Sequence, residues 1–195
     1  MRVTVLVSGG GSNLQALLDA QDAGRLGSAK ITAVIASRSG VYALERATKY
    51  SVPAQVVCRK DFTDSVVWEL TLLEALKKTA PDLIVLAGYL SILGDMVVHR
   101  YAGRIINIHP ALIPSFCGCG MYGLRPHEAA LARGVKITGA TVHYVNEIPD
   151  GGEILAQKAV AVLPGDTAES LQKRVMEQAE WVILPEVVAE LSRKM

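Results

Sequence analysis

The sequence carries no surplus of charge: 20 Lys and Arg stand against 19 Asp and Glu, a formal net charge of +1 over 195 residues. Charge alone therefore advertises no face for nucleic acid or a membrane surface, although local patches can hide in a balanced total. Cysteines are few and odd in number, three in all, which argues against a disulfide framework and for a reducing, cytoplasmic setting. The opening MRVTVLVSGGG lacks the longer apolar core and small-residue cleavage site of a secretory signal. Long apolar runs are also missing. The longest, 83–98, is broken by Gly88, Ser91, Gly94 and Asp95, too short and too interrupted to span a bilayer. No internal repeat, low-complexity tract or linker is present, so one domain over 1–195 is expected, large enough to bury a substantial core.

What is present is an alternation. Short runs rich in Val and Ile at 2–8, 31–37, 54–58, 82–88 and 104–109 read as strands covered on both faces, as in a parallel sheet. Between them, 13–23, 42–50, 61–79 and 125–133 carry helical spacing; in the third of these Val67, Leu70 and Leu73 recur at helical intervals. The βαβ order predicts an α/β fold with right-handed crossovers and a doubly wound, mostly parallel sheet. Runs 137–145 and 153–163, joined by NEIPDGG, predict an antiparallel addition near the C-terminus. From 167 to 195 the pattern predicts one helix, capped by Asp166 or Thr167.

The stretch VTVLVSGGGSNLQALL is strand, glycine loop and helix. In an open parallel sheet that turn falls at the carboxyl edge, where ligands bind. Glycines let the backbone approach an anion, the helix start favours phosphate, and Ser12 and Asn13 add side-chain donors. The plainer alternative is a tight turn with Ser12 or Asn13 as an N-cap. The dinucleotide fingerprint fails because Leu14 stands at its third glycine and no acid ends the second strand. Ser37-Arg38 stands there, which leaves a 2′-phosphate reader open. The P-loop pattern fails as well, so a small monophosphate fits better.

The second candidate site is IINIHPALIPSFCGCGMYG, 105–123. Asn107 and His109 are two apart on a strand and point the same way, and Pro110 ends the ladder. An amide and an imidazole aimed at one point can hold an oxyanion and move a proton; otherwise Asn107 ties a turn and His109 is a satisfied buried ring. Cys117 and Cys119 lack the usual zinc spacing and a second ligand pair, and a Cys-His nucleophile lacks a local signature. In TVHYVNEIPDGG, Asp150 is either a turn former or, if its loop folds back over the sheet edge, a partner that favours protonated His109. His143 is a second proton carrier or, preferably, a structural hydrogen-bonder.

The segments SGGGSNLQALL, LAGYLSIL, NIHPALIPS, GATVHYV and PDGG, in this order and spacing, resemble the glycinamide ribonucleotide formyltransferases of the folate-dependent formyltransferase family, from residue 2 to about 185. The resemblance implies a Rossmann-like formyltransferase fold. It further implies transfer of the formyl group of 10-formyltetrahydrofolate to the glycyl amine of 5′-phosphoribosylglycinamide, in de novo purine biosynthesis. Gly11, Ser12 and Asn13 would hold the substrate phosphate. Leu90, Ser91, Ile92 and Leu93 would line the pterin pocket with Asn107, and Asn146, Glu147, Ile148, Pro149 and Asp150 its far side. Asn107, protonated His109 and Asp150 would form the catalytic trio, supported by His143, with Glu180 on the substrate-amine side. No metal is implied, nor a nucleic-acid or membrane partner, and the assembly would be a monomer or homodimer.

Several positions depart from the family pattern. Ser65 and Ser91 replace arginines often found there, the 116–123 loop is longer, and RVMEQAEWVILP is one residue longer than usual, with Trp181 where a His would follow Glu180. The rival readings are a non-catalytic phosphometabolite or NADP-binding module using 9–13 and Arg38, and another formyltetrahydrofolate enzyme. A deformylase or a methionyl-tRNA formyltransferase would each be expected to carry an added domain.

Overall fold

In the computed structural model, which describes residues 1–194, β1 (Arg2–Val7), β2 (Lys30–Ala36), β3 (Ala54–Val56), β4 (Leu83–Leu86) and β5 (Ile105–His109) run parallel, and β6 (Ile137–Tyr144) and β7 (Ile154–Ala161) close one edge antiparallel. The order across the sheet is β3-β2-β1-β4-β5-β6-β7. From the centre at β1 the chain winds first one way and then the other, so β1 and β4 flank the point where strand order reverses. In such sheets a crevice opens there at the carboxyl ends.

Alternation along each strand feeds two cores. Val3, Val5 and Val7 face α1 (Ser12–Asp22), α2 (Tyr42–Lys49) and the C-terminal helices through Leu14, Leu17, Ala43, Val175 and Leu184. Leu6 and its neighbours Ile35, Ile84 and Ile105 face α3 (Ser65–Thr79) and α4 (Asp95–Arg100) through Trp68, Leu72, Leu76 and Val97. Each fully buried Leu or Ile contributes roughly 1.5–3 kcal/mol, which makes this double layer the main stabilising term. The doubly wound sheet with its antiparallel edge is thus as the sequence predicts.

Three local features differ. The third helix starts at Ser65, not 61, because Asp64 caps it by accepting from Val66 N; its buried face is Trp68, Leu72, Leu73 and Leu76, while Val67 and Leu70 are exposed. Helix α4 has only six residues and follows a glycine, too short to leave a periodic signal. The last helix is not continuous. After α5 (Arg125–Arg133), β6 and β7, it divides into α6 (Ala168–Val175), a π-helical turn Met176–Glu180 and α7 (Trp181–Lys194), with Pro185 inside α7. A π turn holds one residue more than an α turn, and it falls within RVMEQAEWVILP, the segment where the resemblance implies an added residue. Thr167 caps α6 by accepting from Ser170 N, whose hydroxyl accepts from Thr167 N in return.

The glycine loop is set by one residue. Gly11 has φ +72°, and a Cβ on it would sit 2.7 Å from the Ala43 side chain, whereas Cβ atoms on Gly9 or Gly10 would meet open space. Gly11→Ala is expected to destabilise the protein by about 2–3 kcal/mol through left-handed strain and a clash with α2, lowering Tm by roughly 5–10 °C. Gly9→Ala should move it little; thermal melts by circular dichroism compare the two.

Candidate active site

A cleft of about 380 Å³ opens at the carboxyl edge between β1, β4 and β5, with Gly9, Gly10, Asn107, His109, Asp150 and Glu180 among its walls. The loop after β1 and the end of β5 thus share one cavity, although nearly a hundred residues separate them in sequence.

At the glycine end, the N-cap of α1 is Gly11, without a side-chain cap. That removes the reading of Ser12 or Asn13 as a plain N-cap. Asn13 Nδ2 instead donates to Glu180 Oε2 at 2.7 Å, and Asn13 Oδ1 has no partner among the described residues. Ser12 Oγ rests 3.8 Å from Met176 Sδ, a weak contact. Burial pushes the Glu180 carboxyl up to about 7, against the Asn13 hydrogen bond that favours its charged form. Glu180 is thus the acid of the last helical run that meets the loop, beside Met176 at the start of the π turn.

The other end is organised around Asp150, held at φ +57° in the turn before Gly151 and Gly152. Gly118 N donates to Asp150 Oδ2 at 2.8 Å, and Asn107 Nδ2 approaches Oδ1 at 3.4 Å. His109 Nδ1 lies 3.5 Å from Oδ2 and His143 Nε2 3.5 Å from Oδ1. Burial alone would raise the Asp150 carboxyl, but His143, His109 and the Gly118 N–H outweigh it and the net shift is downward.

Carbonyl oxygens only accept, which fixes the tautomers. His143 Nδ1 must donate to Tyr144 O (2.7 Å), so in the neutral ring Nε2 accepts from Asn107 Nδ2 (3.1 Å). Asn107 therefore spends its amide hydrogens on His143 and Asp150. His109 Nε2 must donate to Phe116 O (2.8 Å), so in the neutral ring Nδ1 is a lone pair facing Asp150. Burial lowers the His109 pKa, and Asp150 and Phe116 O, which raise it, do not win. Here the structure departs from the expectation: His109 does meet Asp150, but the free site favours its neutral ring.

A second hollow of about 140 Å³ adjoins on the other side of Asn107, walled by Leu86, Leu90, Leu93, Val98, Val145 and Ile148, with the 146–150 loop opposite. Leu93 and Leu86 are buried, Ile92 is 71% and Ile148 64% exposed. His99 Nε2 and Glu147 Oε1, 2.8 Å apart, link α4 to that loop. Among the described residues no three His, Cys, Asp or Glu side chains converge as metal ligands, and no helix is long and apolar enough to cross a membrane.

With this geometry in view, comparison with known proteins is decisive. Residues 1–188 match the family described as formyl transferase. The chain belongs to that family. It is 40% identical over 187 residues to the phosphoribosylglycinamide formyltransferase of Haemophilus influenzae, covering 96% of this chain and 85% of that protein. A trifunctional purine biosynthetic protein adenosine-3 of Drosophila pseudoobscura is 43% identical over 98% of this chain, but the chain spans only 14% of that protein's length. Among solved structures, the phosphoribosylglycinamide formyltransferase of Brucella melitensis superposes with a TM-score of 0.89 at 41% identity, over all of this chain and 96% of its own. The glycinamide ribonucleotide transformylase 1 of Symbiobacterium toebii gives a TM-score of 0.90 at 38% identity, over 97% of this chain and 88% of its own.

Within this formyl transferase, the 116–123 loop is the part that sequence reasoning left without a role. Its backbone supplies two site groups, Phe116 O and Gly118 N–H. The only sequence trace was glycine density around 118–123, which here marks left-handed backbone at Phe116, Gly118, Gly120 and Gly123. Cys117 Sγ donates to Pro114 O at 3.3 Å and Cys119 is exposed.

Glu180 generates a pH prediction. Its folded pKa, about 7, lies above its ordinary 4.5, so the folded state binds the proton more tightly. The associated stability is full below pH 4.5 and is lost as pH rises from 4.5 to 7, on the order of 3 kcal/mol. In Glu180→Gln that decline is expected to vanish. Urea denaturation of both proteins at pH 4.5, 6 and 8 measures it.

Proposed function

We propose that this protein transfers the formyl group of 10-formyltetrahydrofolate to the glycyl amine of 5′-phosphoribosylglycinamide, a step of de novo purine synthesis. The observation that carries the reading is the convergence of Asn107, His109 and Asp150, between a glycine loop on one side and an apolar hollow on the other. The names of the Haemophilus and Brucella relatives, over nearly the whole chain, support the same reaction.

The apolar hollow fits a flat bicyclic ring: Leu86, Leu93, Val98 and Val145 supply its faces, while the backbone of the 146–150 loop offers polar edges. The cosubstrate supplies an electrophilic formyl carbon. The chain's own residues do the remainder. Gly11, Ser12 and Asn13 receive the substrate phosphate at the loop, and Glu180 faces the sugar and amine beside them.

Neutral His109 is poised to take a proton at Nδ1, the lone pair turned toward Asp150. The proton comes from the glycyl amine as its nitrogen bonds the formyl carbon; Asp150 at 3.5 Å stabilises the imidazolium, which returns the proton to the folate nitrogen as its bond to the formyl carbon breaks. Of the two hydrogens on Asn107 Nδ2, the one reaching Asp150 at 3.4 Å is weakly bonded, so its transfer to a developing oxyanion costs little. His143 holds the amide in that orientation through the 3.1 Å contact. For His109 Nε2 to donate as well, Phe116 O must give way, which makes the 116–123 loop part of the cycle.

Asn107→Ala, His109→Ala and Asp150→Asn are each expected to lower kcat by roughly 10²–10⁴ with the fold intact. The assay is tetrahydrofolate release dependent on glycinamide ribonucleotide; full activity in His109→Ala would overturn the reading, and release without that substrate would indicate deformylation. Because catalysis begins with neutral His109, kcat/KM should fall on the acid side through a pKa below the ordinary 6.5. A pH–rate profile of kcat/KM locates that limb; an acid limb above 6.5 would contradict a neutral resting His109.

A further inference from the structure

The cleft at the glycine loop is short of positive charge. Two acids, Asp150 and Glu180, stand in its walls, and neither a lysine nor an arginine does. The guanidinium that touches the loop belongs to Arg46 on α2, outside those walls. Its Nε donates to Gly10 O at 2.8 Å and its Nη1 to Gln15 Oε1 at 2.6 Å, and the group lies 4.7 Å from the Tyr42 ring centre. Arg46 is half-buried and takes part in no ion pair among the described residues. The neighbouring Asp19 carboxylate is occupied instead by Gln15 Nε2 and Tyr50 Oη, each at 2.7 Å.

The Arg46 contact also sets a direction. A peptide unit is planar and trans, so its C=O and N–H point opposite ways. Arg46 draws Gly10 O toward α2, which turns the Gly11 N–H away from that helix. Ala43 N, donating to Gly9 O at 3.2 Å, does the same for the Gly10 N–H. Neither N–H finds an acceptor among the described residues, and both glycines line the cleft. Beside them Asn13 is 7% exposed and leaves its amide oxygen unpartnered. Successive N–H groups turned to one side make an anion cradle, and a charge-assisted bond to a carbonyl polarises the N–H at the other end of the same peptide. Resting on the formyl-transfer reading, we propose that Arg46 is a positioning residue for the substrate phosphate. From one layer behind the loop it fixes the Gly10–Gly11 peptide and supplies the positive charge that the walls lack, without touching the ligand.

The test compares glycinamide ribonucleotide with its dephosphorylated riboside. Arg46→Ala should raise the KM of the ribonucleotide roughly ten- to a hundredfold, the worth of a hydrogen bond to a charged group. The kcat, the KM of the formyl donor and the kcat/KM of the riboside should stay unchanged. Arg46→Lys, which keeps the charge, should recover most of the loss, and Arg46→Gln, which keeps a donor without charge, little of it. Lys49→Ala removes the same charge one turn along α2, where the ammonium meets the Tyr42 side chain and not the loop, and should leave the KM unaltered. Equal losses for ribonucleotide and riboside, Lys and Gln variants that behave alike, or a Lys49→Ala protein as impaired as Arg46→Ala overturns the proposal. Were Arg46→Ala not to fold, the Lys and Gln variants decide. Should the wild type transfer no formyl group at all, the function reading fails separately, and calorimetric titration with ribose 5-phosphate still settles the role of Arg46. Binding at least tenfold weaker in Arg46→Gln supports it; binding equal in the two proteins, or absent from the wild type, refutes it.

Discussion

Taking a carboxylate out of water costs several kcal/mol unless donors replace its lost hydration, and that requirement shapes this end of the molecule. Asp150 takes hydrogen bonds from Asn107 on β5 and from Gly118 N–H in the loop after β5, while His109 on β5 and His143 on β6 approach it to 3.5 Å. Four stretches of chain are thereby pinned to one point. The cost does not disappear; it is redistributed into a network whose members are all polarised toward a single charge. His109 turns its lone pair to Asp150, and His143 turns its own to Asn107, because carbonyl oxygens take the N–H group of each ring. A site of this kind is under tension in charge rather than in backbone: one proton added to His109 turns an acceptor facing an anion into an ion pair.

The sheet determines what that network can serve. With β1 and β4 at the reversal of strand order, the openings at the carboxyl edge lie side by side, polar toward the glycine loop and apolar toward Leu90–Leu93. Asn107 is common to the two. A polar ligand and an apolar one can thus be held by different surfaces and still meet at Asn107 and Asp150, which line both openings. The antiparallel edge contributes more than closure, because β6 delivers His143 opposite Asn107 in register and its link to β7 carries Asp150.

Much of this was legible in the residues. Continuous Val and Ile runs predicted the buried parallel strands, and the period of two placed Asn107 and His109 on one face. The glycine loop declared itself by composition. What stayed hidden follows from how information is carried. Phe116 O and Gly118 N–H are backbone groups, which every residue has, so no side chain announces them. The balance of burial against Asp150 at His109 depends on how fully the ring is enclosed, 3% exposed, which spacing does not reveal. Val67 and Leu70 mimic a buried stripe, yet the face is set by what α3 packs on, through Trp68 and Leu72. Glu180 could be aligned only with uncertainty in register, since periodic reasoning assumes 3.6 residues per turn and the chain departs from it there.

That departure has a wider meaning. One extra residue in an ordinary helix would rotate everything after it by about 100°, carrying Ile183, Leu184 and Val187 away from the sheet. With the wide turn at Met176–Glu180, Leu171 and Val175 before it and Ile183, Leu184 and Val187 after it all remain buried. The turn acts as a phase coupler between two gears: it lets the wall of the cleft advance by one tooth while the part engaged with the core keeps its mesh. Length changes here can therefore be tried on the ligand side without asking the hydrophobic core to repack, so ligand contacts and fold stability can evolve on separate schedules on either side of one π turn.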